Sequence, residues 1–303
     1  MITVLGPTAS GKTGFAANLA YRIDGEIISA DSRQVYRNMD IGTGKDYKDY
    51  IINGVTVPYH LIDIVDAGEK YNVYEYQKDF IKVLNDITGR NKLPVLCGGS
   101  GLYIESVLKG YKLIHVPPNR DLRKKLENKT LGELTDILRS FKKLHNKTDI
   151  DNKKRAIRAI EIETYYSENP DIDVDYPVIK NFLAGIRYDR ESRRERITQR
   201  LKERLETGLV DEVRGLLDSG IPENDLEYYG LEYKYVTRHI TGKIDYNEMF
   251  DKLNVAIHQF AKRQMTWFRR MERNGMKIHW IDGSLSNNEK TKYIMDMTGY
   301  PKK

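Results

Sequence analysis

Residues 1–13 read Met1-Ile2-Thr3-Val4-Leu5-Gly6-Pro7-Thr8-Ala9-Ser10-Gly11-Lys12-Thr13, and the reading of this stretch decides the fold. A short apolar run of strand length, residues 2–5, passes straight into eight residues that fit G-x-x-x-x-G-K-[ST] at every fixed position. Residues 12–23 then carry helical character. Strand, glycine-rich turn and helix in that order is the context in which this pattern holds phosphate, because the glycines let the backbone fold round the anion. Successive N–H groups and the helix N-terminus then point at it. Lys12 adds a mobile positive charge, and the Thr13 hydroxyl is a candidate Mg²⁺ ligand. Gly6, Pro7, Thr8, Ala9, Ser10, Gly11, Lys12 and Thr13 are therefore candidate polyphosphate-binding residues. The motif does not specify a nucleoside triphosphate. A kinase, a GTPase and a transferase with a diphosphate donor all remain open.

Moving outward, strand-like runs at residues 26–29, 60–64 and 94–97 alternate with helical patterns at 73–84 and after Gly101. Such alternation predicts a parallel sheet with helices on both faces. Leu122, Leu126, Leu131, Leu134, Ile137, Leu138, Phe141 and Leu144 fall mostly three or four apart, as on one face of a helix pair, and 153–165 continues as a helix. Strand character returns at 181–187 and again at 277–281. Between them lie a highly charged helix, 191–206, and several further helices. The expected organisation is an α/β core of residues 1–190 and 255–303 with a helical insertion at about 191–254.

A chain of 303 residues is long enough for about two domains, and its 40% hydrophobic and 31% charged residues are ordinary for a soluble protein. No window approaches the roughly 18 uninterrupted apolar residues of a membrane span, and the opening strand leaves no room for a secretion signal, so a cytoplasmic protein is expected. The single cysteine, Cys97, excludes an internal disulfide. The net charge of +6 is local: residues 120–158 hold thirteen Lys or Arg against six Asp or Glu. Such a tract suits phosphate neutralisation or a solvated helix face.

Two matches favour a GTPase: Asp86-Ile87-Thr88-Gly89 fits D-x-x-G, and Asn146-Lys147-Thr148-Asp149 fits N-K-x-D. Their context argues against it, since SFKKLH precedes the second where a buried strand belongs, and Asp86 ends an amphipathic helix. Two other clusters follow strands. In a doubly wound sheet, Asp31 in Ser29-Ala30-Asp31-Ser32-Arg33-Gln34 would share a crevice with the phosphate loop. There it suits a water-mediated Mg²⁺ contact, a base toward an acceptor, or a helix N-cap. Cys97-Gly98-Gly99-Ser100-Gly101 brings a second hydroxyl, Ser100, to the same crevice.

Taken in order, GPTASGKT, SADSRQVYRNMDIGTGK, YHLIDIV, GGSGLYI, KKRAIRAIEI, LVDEVRGLL and AKRQMTWFRR resemble the successive signatures of tRNA dimethylallyltransferases, from Ile2 to Arg270. The resemblance implies a phosphate-loop core similar to nucleotide kinases, a helical insertion gripping the anticodon stem, and prenyl transfer from dimethylallyl diphosphate to tRNA. It implies that residues 6–13 bind the diphosphate with Mg²⁺, that Asp31 is the general base and that Ser100 hydrogen-bonds at the same centre. It also implies tRNA contacts from Asp31, Ser32, Arg33, Gln34, Arg123, Lys154, Arg155, Ala156, Ile157, Arg158, Tyr233, Lys234, Lys262, Arg263, Gln264 and Arg269. A monomer free of membranes is expected. The chain departs from the family at Ser100, where Thr is usual, at IGTGKDY in place of IGTAKP, and at Glu232, where Gly is usual. A small-molecule or nucleoside kinase, and a catalytically idle tRNA-binding paralogue, are the rival readings. Arg196, Arg200 and Arg204 stand unranked as diphosphate contacts, all three lying in one charged helix.

Overall fold

The computed structural model describes residues 1–141, 148–170 and 176–300. Ile2–Leu5 (β1), Gly25–Ala30 (β2) and Leu93–Gly98 (β6) are almost wholly buried and nearly continuously apolar, the signature of strands covered on both faces. With Tyr59–His60 (β5), Phe182–Arg187 (β7) and His279–Asp282 (β8) they form a parallel sheet of order β5-β2-β6-β1-β7-β8. β5 is shorter than the sequence suggests, because Leu61 and Asp63 turn to φ of 61° and 56° and leave the ladder. A two-stranded hairpin, Ile51–Ile52 (β3) with Val55–Thr56 (β4), turns at Asn53-Gly54, where both residues have positive φ.

The register sets the site. Gly98 at the end of β6 lies opposite both Leu5 of β1 and Ala30 of β2, so the three loops that follow start side by side. A Cβ on Gly98 would stand 2.1 Å from the Ala30 carbonyl oxygen, so only glycine allows this approach. Lys12–Arg22 (α1) packs Phe15, Ala16 and Leu19 against Val4, Ile27 and Val95 on one side of the sheet. Val73–Gly89 (α2) and Gly101–Leu108 (α3) flank β6 in sequence.

The chain divides into two compact units, residues 1–110 with 178–303, and Tyr111–Pro177. The smaller unit holds Arg120–Leu126 (α4), Leu131–Phe141 (α5) and Lys153–Glu168 (α6) around Leu126, Leu134, Leu138, Ala156 and Ile160. This is the helix pair anticipated from the leucine spacing; Leu144 lies outside the described residues, as do Asn146 and Lys147 of the N-K-x-D match. Asp86 is bonded to Arg90 at the end of α2, 2.7 Å away. The division differs from the expected one, for residues 191–254 belong with the larger unit. Arg190–Glu206 (α7) is charged along its length, but Ile197 and Leu201 anchor it in a core with Leu209–Asp218 (α8), Glu223–Tyr229 (α9), Leu231–Ile240 (α10) and Tyr246–Arg273 (α11). Asn287–Thr298 (α12) packs on α1. Among the described residues no helix is long and apolar enough to cross a membrane.

Candidate active site

The loop between β1 and α1 adopts left-handed conformations at Ala9 and Gly11, with φ of 61° and 71°. Two side chains hold it. Arg196 Nε donates to the Ala9 carbonyl at 3.0 Å. Gln264 accepts from the Thr8 N–H at 2.8 Å and donates to the Gly99 carbonyl at 2.9 Å, tying the phosphate loop to the loop after β6. A Cβ on Gly6 would meet Ser10 Oγ at 2.6 Å, and that hydroxyl is buried with no hydrogen-bond partner. A buried hydroxyl without a partner inside a glycine-rich turn fits an oxyanion as its acceptor. Burial holds the Lys12 ammonium below its ordinary value, Asp31 opposes that, and Arg200 and Arg204 add to it. Among the described residues no three His, Cys, Asp or Glu side chains form a metal cluster. The Thr13 hydroxyl, at the start of α1, is the oxygen this loop offers to a hard cation.

The loops after β2 and β6 are stitched together beside it. Ser100 N donates to the Ala30 carbonyl at 3.1 Å, Ser100 Oγ accepts from Ser32 N at 3.0 Å, and the two serine hydroxyls are 3.3 Å apart. Asp31 Oδ1 accepts from Arg33 N at 2.9 Å, which fixes the carboxylate's rotation. Ser100 is thus bonded to the residues on either side of Asp31, at the strand ends beside the phosphate loop, in the crevice expected from sequence. The thiol of Cys97, at the end of β6, is pushed up to about 12 by burial and is no nucleophile.

Other anticipated residues divide by burial. Ser32 and Arg33 are half-exposed, with the Arg33 guanidinium 5.3 Å from the ring centre of exposed Tyr228. Gln34 is buried, accepting from Ser29 Oγ at 3.1 Å and donating to the Gly44 carbonyl at 3.0 Å. Ala156, Tyr233 and Gln264 are buried too, so their side chains serve the interior and do not face an RNA. Lys262, Arg263 and Arg269 project outward from α11, and Lys234 is half-exposed above the Tyr235 ring. In the smaller unit Lys154 and Arg155 are exposed, and Arg155 pairs with Asp151 at 2.6 Å. Ile157 is half-buried in its core. Arg123 and Arg158 converge on buried Glu161.

Sequence reasoning missed the carboxylates that organise these parts. Glu212 accepts from the N–H groups of Asp40, Ile41 and Gly42 at 2.9, 2.6 and 3.0 Å and from the Tyr233 hydroxyl at 2.7 Å, moulding the IGTGKDY loop. Its backbone partners are about 170 residues away in the chain, so the local pattern does not show what it holds. Trp267 proves to be a core-side ring: it lies on Gly101 and its Nε1 donates to Glu105 at 2.9 Å.

A model of the IPP transferase family matches residues 34–271, a span that begins after the phosphate loop and is independent of it. The tRNA dimethylallyltransferase 2 of Bacteroides fragilis is 60% identical over 97% of this chain and 96% of its own. That of Phocaeicola vulgatus is 58% identical over 98% and 97%. The crystal structure of the tRNA isopentenylpyrophosphate transferase of Bacillus halodurans superposes with a TM-score of 0.72, at 31% identity, over 98% of this chain and 95% of that one. Likeness that runs along nearly the whole of each chain, well beyond any phosphate loop, makes this chain a member of the IPP transferase family.

Proposed function

We propose that the protein transfers a dimethylallyl group from dimethylallyl diphosphate to the exocyclic N6 of the adenosine just 3′ of the anticodon in tRNA, releasing diphosphate. The observation that carries this reading is the meeting of Asp31 and Ser100 with the phosphate loop at three adjacent strand ends. An adenine amine is a poor nucleophile because its lone pair is delocalised, so Asp31 accepts its proton as the N6–C bond forms. Ser100 holds the Asp31 segment through Ser32 and presents a hydroxyl to the same centre. The allylic C–O bond breaks with its electron pair going to the diphosphate, whose growing charge is met by the loop's N–H groups, Ser10 Oγ and Lys12. Thr13 would hold Mg²⁺ through its hydroxyl, and the ion would supply further positive charge to the diphosphate. No ATP is consumed.

The target base must leave its stack to reach Asp31. Arg33 and Tyr228, stacked at the rim, offer a guanidinium and a ring to a neighbouring base. Lys154, Arg155, Lys262, Arg263 and Arg269 are exposed cations suited to tRNA phosphates. The same reading takes the protein as a cytoplasmic monomer. Purified protein with labelled dimethylallyl diphosphate, Mg²⁺ and unmodified tRNA tests it, with Asp31→Ala beside wild type. Transfer abolished by the substitution is the expected result. Phosphorylation from ATP without prenyl transfer would instead identify a kinase, and tRNA binding without transfer an idle paralogue.

A further inference from the structure

Arg196, Arg200 and Arg204 recur every fourth residue along α7 and so line one face. Their partners differ. Arg196 is committed to the Ala9 carbonyl and lies 4.5 Å from the Tyr188 ring centre. Arg200 pairs with Asp46. Arg204, with only 12% of its side chain exposed, meets Glu232 Oε1 through one nitrogen at 3.3 Å. The two guanidinium groups crowd Gly44, where a Cβ would lie 2.0 Å from Arg204 Nη2 and 2.7 Å from Arg200 Nη2.

That pairing is poor by the standards of the same molecule. Arg238 grips Glu227 with two bonds of 3.0 and 2.7 Å, and Arg123 grips Glu161 with two of 2.9 and 2.8 Å. A buried ion pair offsets its desolvation only with such geometry. Burial accordingly presses the Arg204 guanidinium down, and Arg200 adds to this. Burial raises the Glu232 carboxyl, Arg204 opposes it and Asp31 raises it further. Arg204 also acts on Lys12 of the phosphate loop. Arg204 is thus a largely buried cation held by one long ion-pair contact, about two turns along α7 from the Arg196 that grips the phosphate loop, and Glu232 is its partner.

We propose that Glu232 is a built-in counter-ion for Arg204, standing in for the donor's diphosphate and giving up the guanidinium when that diphosphate binds. Glu232 then sets the donor's affinity and leaves the transfer step to Asp31. It is a positioning residue acting through Arg204, and the inference rests on the prenyl-transfer reading above.

The test titrates inorganic pyrophosphate with Mg²⁺ into the full-length protein by calorimetry and measures transfer kinetics on the same preparations. Glu232→Gln should bind pyrophosphate about tenfold more tightly than wild type, because a like charge is removed. It should lower KM for the donor with little change in kcat. Arg204→Gln should weaken binding, and in that background Glu232→Gln should bring no gain. Glu232→Gly, which removes the side chain entirely, repeats the test should the glutamine variant fold poorly. Pyrophosphate affinity unchanged or weakened in both Glu232 variants overturns the inference, even with transfer intact. Tightened binding with no transfer by wild type overturns the prenyl-transfer reading and leaves Glu232 a counter-ion at a diphosphate site.

Discussion

Arg204 in the larger unit and Arg123 in the smaller one each pair with a buried glutamate, and the two glutamates are pushed in opposite directions. Burial alone would raise the Glu161 carboxyl, but bonds from Arg123, Arg158 and the Asn119 N–H outweigh it and hold it below its ordinary value. Glu232 has one long contact from Arg204, a bond from its own N–H and Asp31 nearby, so burial wins and the carboxyl rises. The donors reaching each carboxylate decide which way burial leaves it, and on the proposal above that difference marks charge held for a ligand. Counting basic residues along the sequence does not. The tract at 120–158 looks uniform, but Arg123 and Arg158 brace a helix bundle while Lys154 beside them faces solvent.

The largest test of this contrast lies in the crevice. Asp31→Ala should reduce kcat for prenyl transfer by about 10²–10⁴-fold, the range for loss of a general base, with pyrophosphate affinity held within a few-fold in calorimetry. Lys12→Met should cost about 10²–10³-fold in kcat in the same assay, as for loss of one donor to developing charge. A small effect of both would break the comparison, placing the functional charge elsewhere.

In the smaller unit the expected loss is stability. Glu161→Gln leaves two arginines short of an acceptor and should cost about 1–3 kcal/mol in urea unfolding, with transfer kinetics per folded molecule little altered. Because the folded pKa of Glu161 is depressed, its contribution is present above the ordinary value of 4.5 and is lost as pH falls through the lower folded value. Wild type should therefore lose stability in acid more steeply than Glu161→Gln, as thermal melts across that window would record. The smallest effect is at Lys154→Ala, expected to weaken tRNA binding a few-fold and to reduce the slope of log K against log salt by roughly one. Should Lys154→Ala instead destabilise the fold as Glu161→Gln does, the division between bracing and ligand-facing charge fails.

The parallel sheet, the strand–loop–helix at 2–22 and the closeness of the loops that carry Asp31 and Ser100 were legible because each rests on local pattern: apolar runs, glycine spacing, and loops that follow strands. The placement of the separate unit was not. Charge along α7 disguised two anchoring residues, Ile197 and Leu201, while the leucine stripe of α4 and α5 closes its own core. Gln34 and Gln264 were misleading in another way. Both sit in motifs read as RNA contacts, but each bridges two loops whose proximity only the sheet register creates. The partners of Glu212, Glu105 and Glu161 were hidden for the same reason, although LVDEVRGLL and KKRAIRAIEI contain two of the three.

The bridge made by Gln264 has polarity. One end of its amide accepts from Thr8 and the other donates to Gly99, so the loops are joined by a group that must both receive and give a hydrogen. A glutamate of the same shape has two acceptors and would turn one of them on a carbonyl oxygen; a leucine would leave both backbone groups unanswered. Of the twenty side chains, glutamine alone has this reach with this asymmetry. The position at which α11 meets the phosphate loop is thus fixed in chemical identity as firmly as a catalytic group.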